Sequence, residues 1–328
     1  MKNKAIIIVC GEPKSVFLEI LFKALKKHLY NSPIILITSL KLLKNQMKKF
    51  KFKRKINILD RNNFNKKNLD KNSINLINIK LNINTKSKNL NDNSNIYIKN
   101  CFDVGLNLIK KNRYYKFING PISKKKFLKR KFPGMTEYIS KNFNQKKYAM
   151  LIYNKNLSVC PLTTHIPVKS VTKMITKKNI YEKINLIYKF YQEYFNKKPK
   201  IAILGLNPHC ESIHSFNEDE KIITPAINQL NKKGLKVSGP FSADTMFLKK
   251  NRIKYDVIIG MYHDQVLTPL KTLFEYDAIN ITLGLPFIRI SPDHGPNEEM
   301  IGKNVSNPLS LIKAIKFLDK NWLKQKKV

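Results

Sequence analysis

The chain has 328 residues, of which 42% are hydrophobic, so it predicts two domains of ordinary size with enough apolar material for buried cores. Its formal charge is +40, from 62 Lys and Arg against 22 Asp and Glu, but the basic residues are spread along the whole chain. Lys is enriched together with Asn and Ile, as an AT-rich coding sequence produces, so this composition explains the charge and a nucleic-acid partner is disfavoured. A small phosphorylated molecule is favoured instead, because a positive potential attracts it.

The cysteines and the amino terminus indicate a cellular compartment. The four cysteines stand far apart with no C-x-x-C pair, which disfavours a thiolate zinc site and indicates a reducing environment. The apolar run Ala5–Cys10 is too short for a signal-peptide core or a membrane span. These features predict a cytoplasmic protein with no membrane partner.

The first third of the chain predicts alternating strands and helices. Residues 41 to about 100 are rich in Lys and Asn and predict solvated loops and edge elements. The other predicted elements are a strand at Ala5–Cys10, a helix over Val16–Leu29, a strand at Pro33–Thr38, a helix over about 101–112 and a strand at Tyr115–Asn119.

The rest of the chain continues this alternation. The predicted strands lie near 149–153 and 157–161 and at Lys200–Leu204 and Val257–Gly260, and the predicted helices cover about 181–195 and 307–318. Strands that alternate with helices predict an α/β fold with a parallel sheet and crossover helices.

Three histidines follow apolar runs within polar clusters: His165, His209 and His263. Ligands of open α/β sheets bind at the carboxyl ends of the strands, where these clusters lie. Three imidazoles with an open coordination position suit a catalytic divalent metal. The wide spacing leaves the alternative that they are ordinary hydrogen-bonded histidines at strand ends.

A basic and polar group follows towards the carboxyl terminus. Lys271 and Arg289 could hold a phosphate or a carboxylate, Arg by paired hydrogen bonds and Lys as a point charge. Asn280 places an amide among apolar residues and should face a polar group. Asp293 and His294 could contact a ligand or turn the chain.

Several common site motifs are missing from the sequence. Neither G-x-G-x-x-G nor G-x-x-x-x-G-K-[ST] occurs, so a standard Rossmann pyrophosphate loop and a P-loop are excluded. G-x-S-x-G is also missing, which disfavours a serine hydrolase of the nucleophile-elbow type.

Nine ordered motifs, several of them long and unusual, make the chain resemble the 4-hydroxythreonine-4-phosphate dehydrogenases of vitamin B6 biosynthesis along nearly its whole length. They are GEP at 11–13, NGPISK at 119–124, GMTEY at 134–138, TTHIPV at 163–168, GLNPH at 205–209, GPFSADTMF at 239–247, MYHDQ at 261–265, NITLGLPFIR at 280–289 and SPDHG at 291–295.

The resemblance implies an α/β fold like that of isocitrate and isopropylmalate dehydrogenases, in two domains with a cleft between them. The first domain would hold residues 1–120 and about 285–328, and the second, with the metal ligands, about 121–284. Family members are homodimers whose metal site is completed across the subunit interface. The resemblance therefore implies a homodimer here as well.

The resemblance also implies the site residues and cofactors. The metal ligands would be His165, His209 and His263, binding zinc, magnesium or cobalt, and the hydride acceptor would be NAD or NADP. The substrate contacts would be Thr136, Lys271, Asn280 and Arg289, with Met135 beside them.

The implied reaction oxidises the C3 hydroxyl of 4-phosphooxy-L-threonine, and the β-keto acid then loses carbon dioxide to leave 3-amino-2-oxopropyl phosphate. A divalent metal suits both steps, since it acidifies the alcohol and then polarises the ketone. Asp264 and Asp244 are candidates for the base, although each could instead orient a ligand histidine by a hydrogen bond.

Two departures from the family pattern leave the substrate open. Met135 stands where the family usually has a histidine, and a thioether donates no hydrogen bond. Residues 14–18 replace the glycine-rich continuation after GEP. One alternative is therefore a related dehydrogenase for another phosphorylated hydroxy acid, such as a four-carbon sugar acid phosphate. Another is a non-catalytic basic binding protein.

Overall fold

The computed structural model describes residues 5–61, 66–81, 90–112, 116–123, 127–128, 131–212, 216–292 and 295–320. The chain divides into two compact units. Unit 1 holds the described residues up to Phe132 and those from Pro286 onwards, and unit 2 is Pro133–Leu285. The divisions thus fall at 132/133 and 285/286, where the sequence predicted 120/121 and 284/285.

Unit 1 contains a sheet in which every strand pair is parallel, in the order β3-β4-β2-β1-β5-β12. The central strands are fully buried apolar runs, as expected for a sheet covered on both faces. The strands are β1 (Ile6–Val9), β2 (Ile34–Thr38), β3 (Ile56–Ile58), β4 (Ile74–Asn78), β5 (Lys116–Asn119) and β12 (Ile288–Pro292).

The helices of unit 1 are α1 (Phe17–Lys27), α2 (Leu40–Lys49), α3 (Leu90–Asn112) and α11 (Leu309–Asp319), with short 3₁₀ turns at Lys66–Asn68 and Glu298–Met300. The structure confirms the predicted strands β1, β2 and β5 and the predicted helices α1 and α11. It also confirms α3, although this helix begins at Leu90, about ten residues before the end of the stretch predicted as loop.

The prediction of loops and edge elements for 41–100 was wrong in part. Ser39 is the N-cap of helix α2, and its hydroxyl accepts a hydrogen bond from Leu42 N at 3.4 Å. Strand β4 pairs with β2 on one side and β3 on the other, so it is an interior strand. The frequent Lys and Asn residues concealed both elements in the sequence. In β4, even the short apolar core, Ile74–Ile77, contains the buried Asn75.

Unit 2 contains a mixed sheet in the order β11-β6-β7-β10-β8-β9. Strands β7, β10, β8 and β9 run parallel to one another, whereas β6 is antiparallel to both β7 and β11. The strands are β6 (Ala149–Tyr153), β7 (Ser158–Pro161), β8 (Ile201–Leu204), β9 (Val237–Phe241), β10 (Val257–Gly260) and β11 (Ile279–Leu283).

The expectation of a parallel sheet therefore needs correction in unit 2. Strands β6 and β7 are joined by a short turn, in which Asn154 Oδ1 accepts a hydrogen bond from Asn156 N at 2.9 Å. A parallel pair needs a crossover of about a dozen residues or more, so a turn of this length can only join antiparallel strands. The positions of the predicted strands β6, β7, β8 and β10 are confirmed.

The helices of unit 2 are α4 (Met135–Asn142), α5 (Val171–Met174), α6 (Lys177–Phe195), α7 (Thr224–Lys232), α8 (Ala243–Met246), α9 (Lys249–Arg252) and α10 (His263–Phe274). Short turns of 3₁₀ helix lie at Val168–Ser170 and Pro208–Cys210, and a π-helical turn lies at Asp219–Ile223.

Helix α10 is fixed against the unit 2 sheet by one apolar face. Val266, Leu267 and Leu270 are buried in a cluster with residues of β7, β8 and β10 such as Val159 and Ile258. This spacing puts the three side chains on one side of the helix. Because the helix begins immediately after β10, its packing also fixes the position of its first residue, His263.

Two further observations concern the chain as a whole. None of the helices in the described part of the chain is both long and apolar enough to cross a bilayer. All four cysteines are free thiols, and three of them, Cys10, Cys101 and Cys160, are buried.

Tyr191 of α6 connects the starts of two strands and provides a test of the unit 2 fold. Its buried hydroxyl donates to Ser158 Oγ at 3.0 Å and lies 3.3 Å from Asp256 O. Tyr191→Phe should lower the free energy of unfolding by about 1–2 kcal/mol, because Ser158 loses a buried partner. Urea denaturation measures the loss, and Tyr276→Phe, at a half-exposed position, is the control. Equal stability of the two variants would contradict the assigned contacts.

Candidate functional site

The three predicted histidines follow three neighbouring parallel strands of unit 2. Strand β10 lies between β7 and β8 and is parallel to both, so the carboxyl ends of all three strands lie at one edge of the sheet. His165 follows β7, His209 follows β8 and His263 follows β10. We call the segments 162–165, 205–210 and 261–265 the histidine edge. A polar cluster at this edge of an α/β sheet is a typical ligand site.

His165 and His263 lie side by side at the histidine edge. Their ring centroids are 5.9 Å apart with the ring planes at 40°. Two imidazoles that share one tetrahedral metal ion have ring centroids about 5–6 Å apart, given metal–nitrogen bonds of about 2 Å. The observed separation is compatible with a shared cation.

Asp264 is paired with His263. The His263 Nδ1 atom lies 2.6 Å from Asp264 Oδ1, and this carboxylate is largely exposed while the imidazole is about one-third exposed. In the tautomer that the pair favours, Nδ1–H donates to the carboxylate and Nε2 carries the lone pair that a metal ion needs. Asp264 therefore contacts a predicted ligand in the manner expected of an orienting residue.

Glu137 lies against His165. Its Oε2 atom is 3.9 Å from His165 Nδ1, and its Oε1 accepts a hydrogen bond from the Thr164 hydroxyl at 3.3 Å. Burial alone would raise the pKa of the Glu137 carboxyl. Interactions with the His165 imidazole, with its own backbone N–H and with Thr164 outweigh burial and hold that pKa below its ordinary value. Glu137 is thus a buried carboxylate beside the second imidazole of the pair.

Gly134 makes this arrangement possible by having no side chain. A Cβ at this position would lie 2.7 Å from His165 Nδ1 and 2.7 Å from Glu137 Oε2. Gly134 is also the N-cap of α4, whose first residues are the buried Met135 and Thr136. The structure therefore brings the predicted substrate residues of α4 to the same place as His165.

His209 is exposed and has a left-handed backbone. His209 has φ 54° and Cys210 has φ 63°, two consecutive non-glycine residues in a region that side chains disfavour. Such residues cost of order 1–3 kcal/mol each and persist where the surroundings fix them. The loop that carries His209 is therefore held in its conformation by other groups.

The buried carboxylate of Asp219 is the group that holds this loop. Its Oδ1 accepts from Leu206 N at 2.8 Å, and its Oδ2 accepts from Asn207 N at 3.1 Å and from Asn207 Nδ2 at 2.9 Å. Asp219 is 1% exposed. A Cβ on Gly205 would lie 2.7 Å from Asp219 Oδ1, so a glycine is needed where the loop meets the carboxylate.

The structure does not gather all three histidines within one chain. Within the described ranges, no three His, Cys, Asp or Glu side chains are grouped closely enough to hold a metal. The second predicted aspartate, Asp244, is exposed on α8, on the Cys210 side of the histidine edge. Burial, followed by the charges of Asp219 and Asp244, raises the pKa of the Cys210 thiol.

The predicted substrate residues Asn280, Lys271 and Arg289 occupy different settings. Asn280 on β11 has a buried Oδ1 that forms no hydrogen bond within the described part of the chain, as expected of an amide that faces a ligand. Lys271 is exposed on the last turn of α10, about 12 Å along the helix from His263. Arg289, in unit 1, is buried, and its Nε donates to Asn119 Oδ1 at 2.8 Å. Asp293, His294 and Lys124 of the quoted motifs lie outside the described residues.

Glu137, Asp219 and Gln265 were missed as site residues by the sequence reasoning. Glu137 and Gln265 belong to the quoted motifs GMTEY and MYHDQ, so the motifs themselves were the available signal. Asp219 follows His209 by ten residues across an irregular loop, and nothing in its local sequence marks it.

Comparison with known proteins identifies the family. The family model described as "Pyridoxal phosphate biosynthetic protein PdxA" matches residues 30–318. The chain belongs to the PdxA family. It is therefore an enzyme of the oxidoreductase class, and the predicted family and α/β fold class are confirmed.

Individual PdxA relatives support the assignment along the whole chain. The chain is 39% identical to a 4-hydroxythreonine-4-phosphate dehydrogenase of Sulfurihydrogenibium sp., over 94% of this chain and 96% of that protein. It is similar to the crystal structure of a 4-hydroxythreonine-4-phosphate dehydrogenase from Klebsiella pneumoniae, with a TM-score of 0.80 and 27% identity over 96% and 97% of the two chains. A relative from Oceanobacillus iheyensis, provisionally named D-threonate 4-phosphate dehydrogenase, is 35% identical over 56% of each chain.

The role of Asp219 in the His209 loop can be tested by stability. Asp219→Asn replaces a charged acceptor of three hydrogen bonds and should lower the free energy of unfolding by about 2–3 kcal/mol. Glu220→Gln, at the neighbouring exposed acid, should change it by less than about 0.5 kcal/mol. Urea denaturation compares the two. A loss in D219N no larger than that in E220Q would show that the Asp219 carboxylate does not hold the loop.

Proposed function

We propose that the chain is an NAD-dependent, divalent-metal-dependent dehydrogenase that oxidises 4-phosphooxy-L-threonine in pyridoxal phosphate biosynthesis. The observation that carries the proposal is the pairing of His165 with His263 at a strand edge, each beside a carboxylate, in a chain of the PdxA family. The names of the relatives support the substrate.

The donor set at the histidine edge fits a divalent metal. His263 has its Nδ1 engaged by Asp264, and His165 lies beside the largely buried carboxylate of Glu137. Carboxylates that interact with the imidazoles of a metal site orient the rings and raise their basicity. His165 and His263 would hold the cation, and His209, on the adjacent loop, would be the third ligand.

The proposed reaction balances as an oxidation followed by a decarboxylation. 4-Phosphooxy-L-threonine and NAD⁺ give a β-keto acid, NADH and a proton, and the keto acid loses carbon dioxide to leave 3-amino-2-oxopropyl phosphate. When bound, the cation lowers the pKa of the reacting alcohol and polarises the resulting ketone, while the nicotinamide takes up the hydride.

The chain's own residues would bind and orient the substrate. Asn280 presents a buried amide oxygen to a donor on the substrate, and Thr136 lies in the first turn of the helix that packs against His165. Lys271 and Arg289 supply fixed positive charge for the phosphate and carboxylate groups. The charge of +40 raises the local concentration of such an anion.

The assembly and the compartment form part of the same proposal. His209 is exposed and does not join the other two histidines in one cluster within the described residues. A homodimer, in which the site is completed across the subunit interface, accounts for an exposed ligand held in a fixed loop. The four free thiols support a reducing, cytoplasmic location.

A paired test of metal binding and turnover examines this proposal. The purified chain, given NAD, a divalent metal and 4-phosphooxy-L-threonine, should form NADH. His263→Ala should weaken metal binding by more than about 100-fold and abolish NADH formation, because it removes a ligand. His28→Ala is the control, since His28 follows the last residue of α1 in unit 1. Loss of neither property in H263A, or no turnover by the unchanged chain, would refute the assignment.

A second candidate substrate is a four-carbon sugar acid phosphate. Met135 and the relative named for D-threonate 4-phosphate favour it. Both substrates carry a phosphate and a hydroxyl on a four-carbon acid, so the metal chemistry would be the same for each. Comparing kcat/KM for the two compounds decides between them, and we expect 4-phosphooxy-L-threonine to be preferred.

Met135 provides a test of the substrate contact. Met135→His restores a hydrogen-bond donor beside Thr136 and should lower KM for 4-phosphooxy-L-threonine by about 2–10-fold with little change in kcat, the effect of one hydrogen bond. Met135→Leu is the matched control, because it keeps an apolar side chain at this buried position. If KM is unchanged in M135H while stability falls, the position belongs to the core and makes no substrate contact.

A further inference from the structure

The backbone of Met261 connects two loops of the histidine edge. Its carbonyl oxygen accepts from Thr163 Oγ1 at 2.7 Å and from Thr163 N at 3.2 Å, which ties the loop before His165 to the turn before His263. Its N–H donates to Gln265 Oε1 at 2.7 Å. Both backbone polar atoms of the buried Met261 are therefore occupied by residues of the histidine edge.

Gln265 carries this connection to the third loop. Its Nε2 donates to Gly205 O at 2.8 Å, and Gly205 is the first residue after β8, at the start of the loop that carries His209. A primary amide both donates and accepts, so one side chain spans the His263 turn and the His209 loop. The order of the strands makes this possible because β10 and β8 are neighbours.

One glycine leaves room for the Gln265 side chain, and a second leaves room for the loop at the far end of its bridge. A Cβ on Gly260 would lie 2.8 Å from Gln265 Oε1 and 2.5 Å from Val266 Cγ1, so the amide occupies space that a side chain would fill. A Cβ on Gly205 would lie 2.6 Å from Cys210 Sγ. The bridge therefore ends on a peptide that is itself closely packed against the His209 loop.

We propose that Gln265 is a positioning residue that fixes, within each subunit, the separation of the His209 loop from His263 and, through Met261 and Thr163, their placement relative to His165. This inference rests on the proposed metal-dependent function. Gln265 contacts neither the cation nor the substrate in this role. It acts on the ligands through the backbone that carries them.

Gln265→Met removes both hydrogen bonds of the bridge and keeps the length of the side chain. We expect the dissociation constant for Zn²⁺ to rise by about 10–100-fold, the range found when residues that support metal ligands are replaced. The full chain is titrated with Zn²⁺ against a chromophoric chelator. Co²⁺ is bound in parallel, and its visible absorption band should change in Q265M because the ligand geometry changes.

Asn231 supplies a matched control of the same chemistry. Its amide also bridges backbone groups, with Nδ2 donating to Val237 O at 2.8 Å and Oδ1 accepting from Val237 N at 3.1 Å, at the start of β9. Asn231→Leu should lower the thermal stability of the metal-free chain about as much as Q265M, and leave Zn²⁺ affinity and the Co²⁺ spectrum unchanged. Equal losses of affinity in both variants would reduce the role of Gln265 to general stability and overturn the proposal.

A second variant separates positioning from charge. Gln265→Glu keeps the acceptor for Met261 N–H but faces the Gly205 carbonyl with a second oxygen. A negative charge near the cation would by itself tighten Zn²⁺ binding, whereas loss of the bridge weakens it. Weaker binding in Q265E shows that loss of the bridge outweighs the added charge and supports the positioning role, whereas binding that is equal or tighter in both Q265E and Q265M overturns it.

The outcomes also distinguish this inference from the function on which it rests. If the unchanged chain binds Zn²⁺ and Q265M binds it within twofold as tightly, the positioning role alone is overturned. If the unchanged chain binds no cation, the proposed metal-dependent function fails, and the positioning role fails with it.

Discussion

The parallel alignment of β7, β10 and β8 is the constraint on which the rest of the site depends. Parallel strands deliver their carboxyl ends to one edge, so loops that are far apart in sequence meet there. The loops that carry His165, His209 and His263 follow neighbouring strands only because β10 lies between the other two strands. The apolar face of α10 then fixes where the last of these loops can turn, since the helix starts at His263 itself.

The strands were predictable where an apolar run was not interrupted by polar residues. Strands such as β1 and β8 are four-residue apolar segments with no exposed position, and their sequences mark them directly. Strand β4 was missed because it carries the buried Asn75, whose amide is satisfied by Ile34 O and Asp70 O. One of these partners, Ile34, lies forty-one residues earlier on a neighbouring strand, so a local pattern does not reveal the compensation.

The histidines could be predicted, whereas some of the groups that support them, such as Asp219, could not. A histidine after an apolar strand is visible in the sequence, and the family motifs reinforce it. Asp219 acts on a loop that begins fourteen residues earlier, by accepting backbone N–H groups whose direction depends on the fold. Gly134 matters because of an imidazole thirty-one residues further along the chain. Contacts of this kind follow from the packed structure and leave no periodic signal.

The backbone contacts of Met261 have a consequence for which substitutions the histidine edge can accept. Thr163 and Gln265 both bond to Met261, and Gln265 also bonds to Gly205. The effects of substitutions at these positions on the free energy of unfolding should therefore combine non-additively, unlike those at distant positions. A loop transplanted from a relative would arrive without the partners that its backbone requires. A change in any one of the three segments, whether natural or engineered, would therefore require matching changes in the other two.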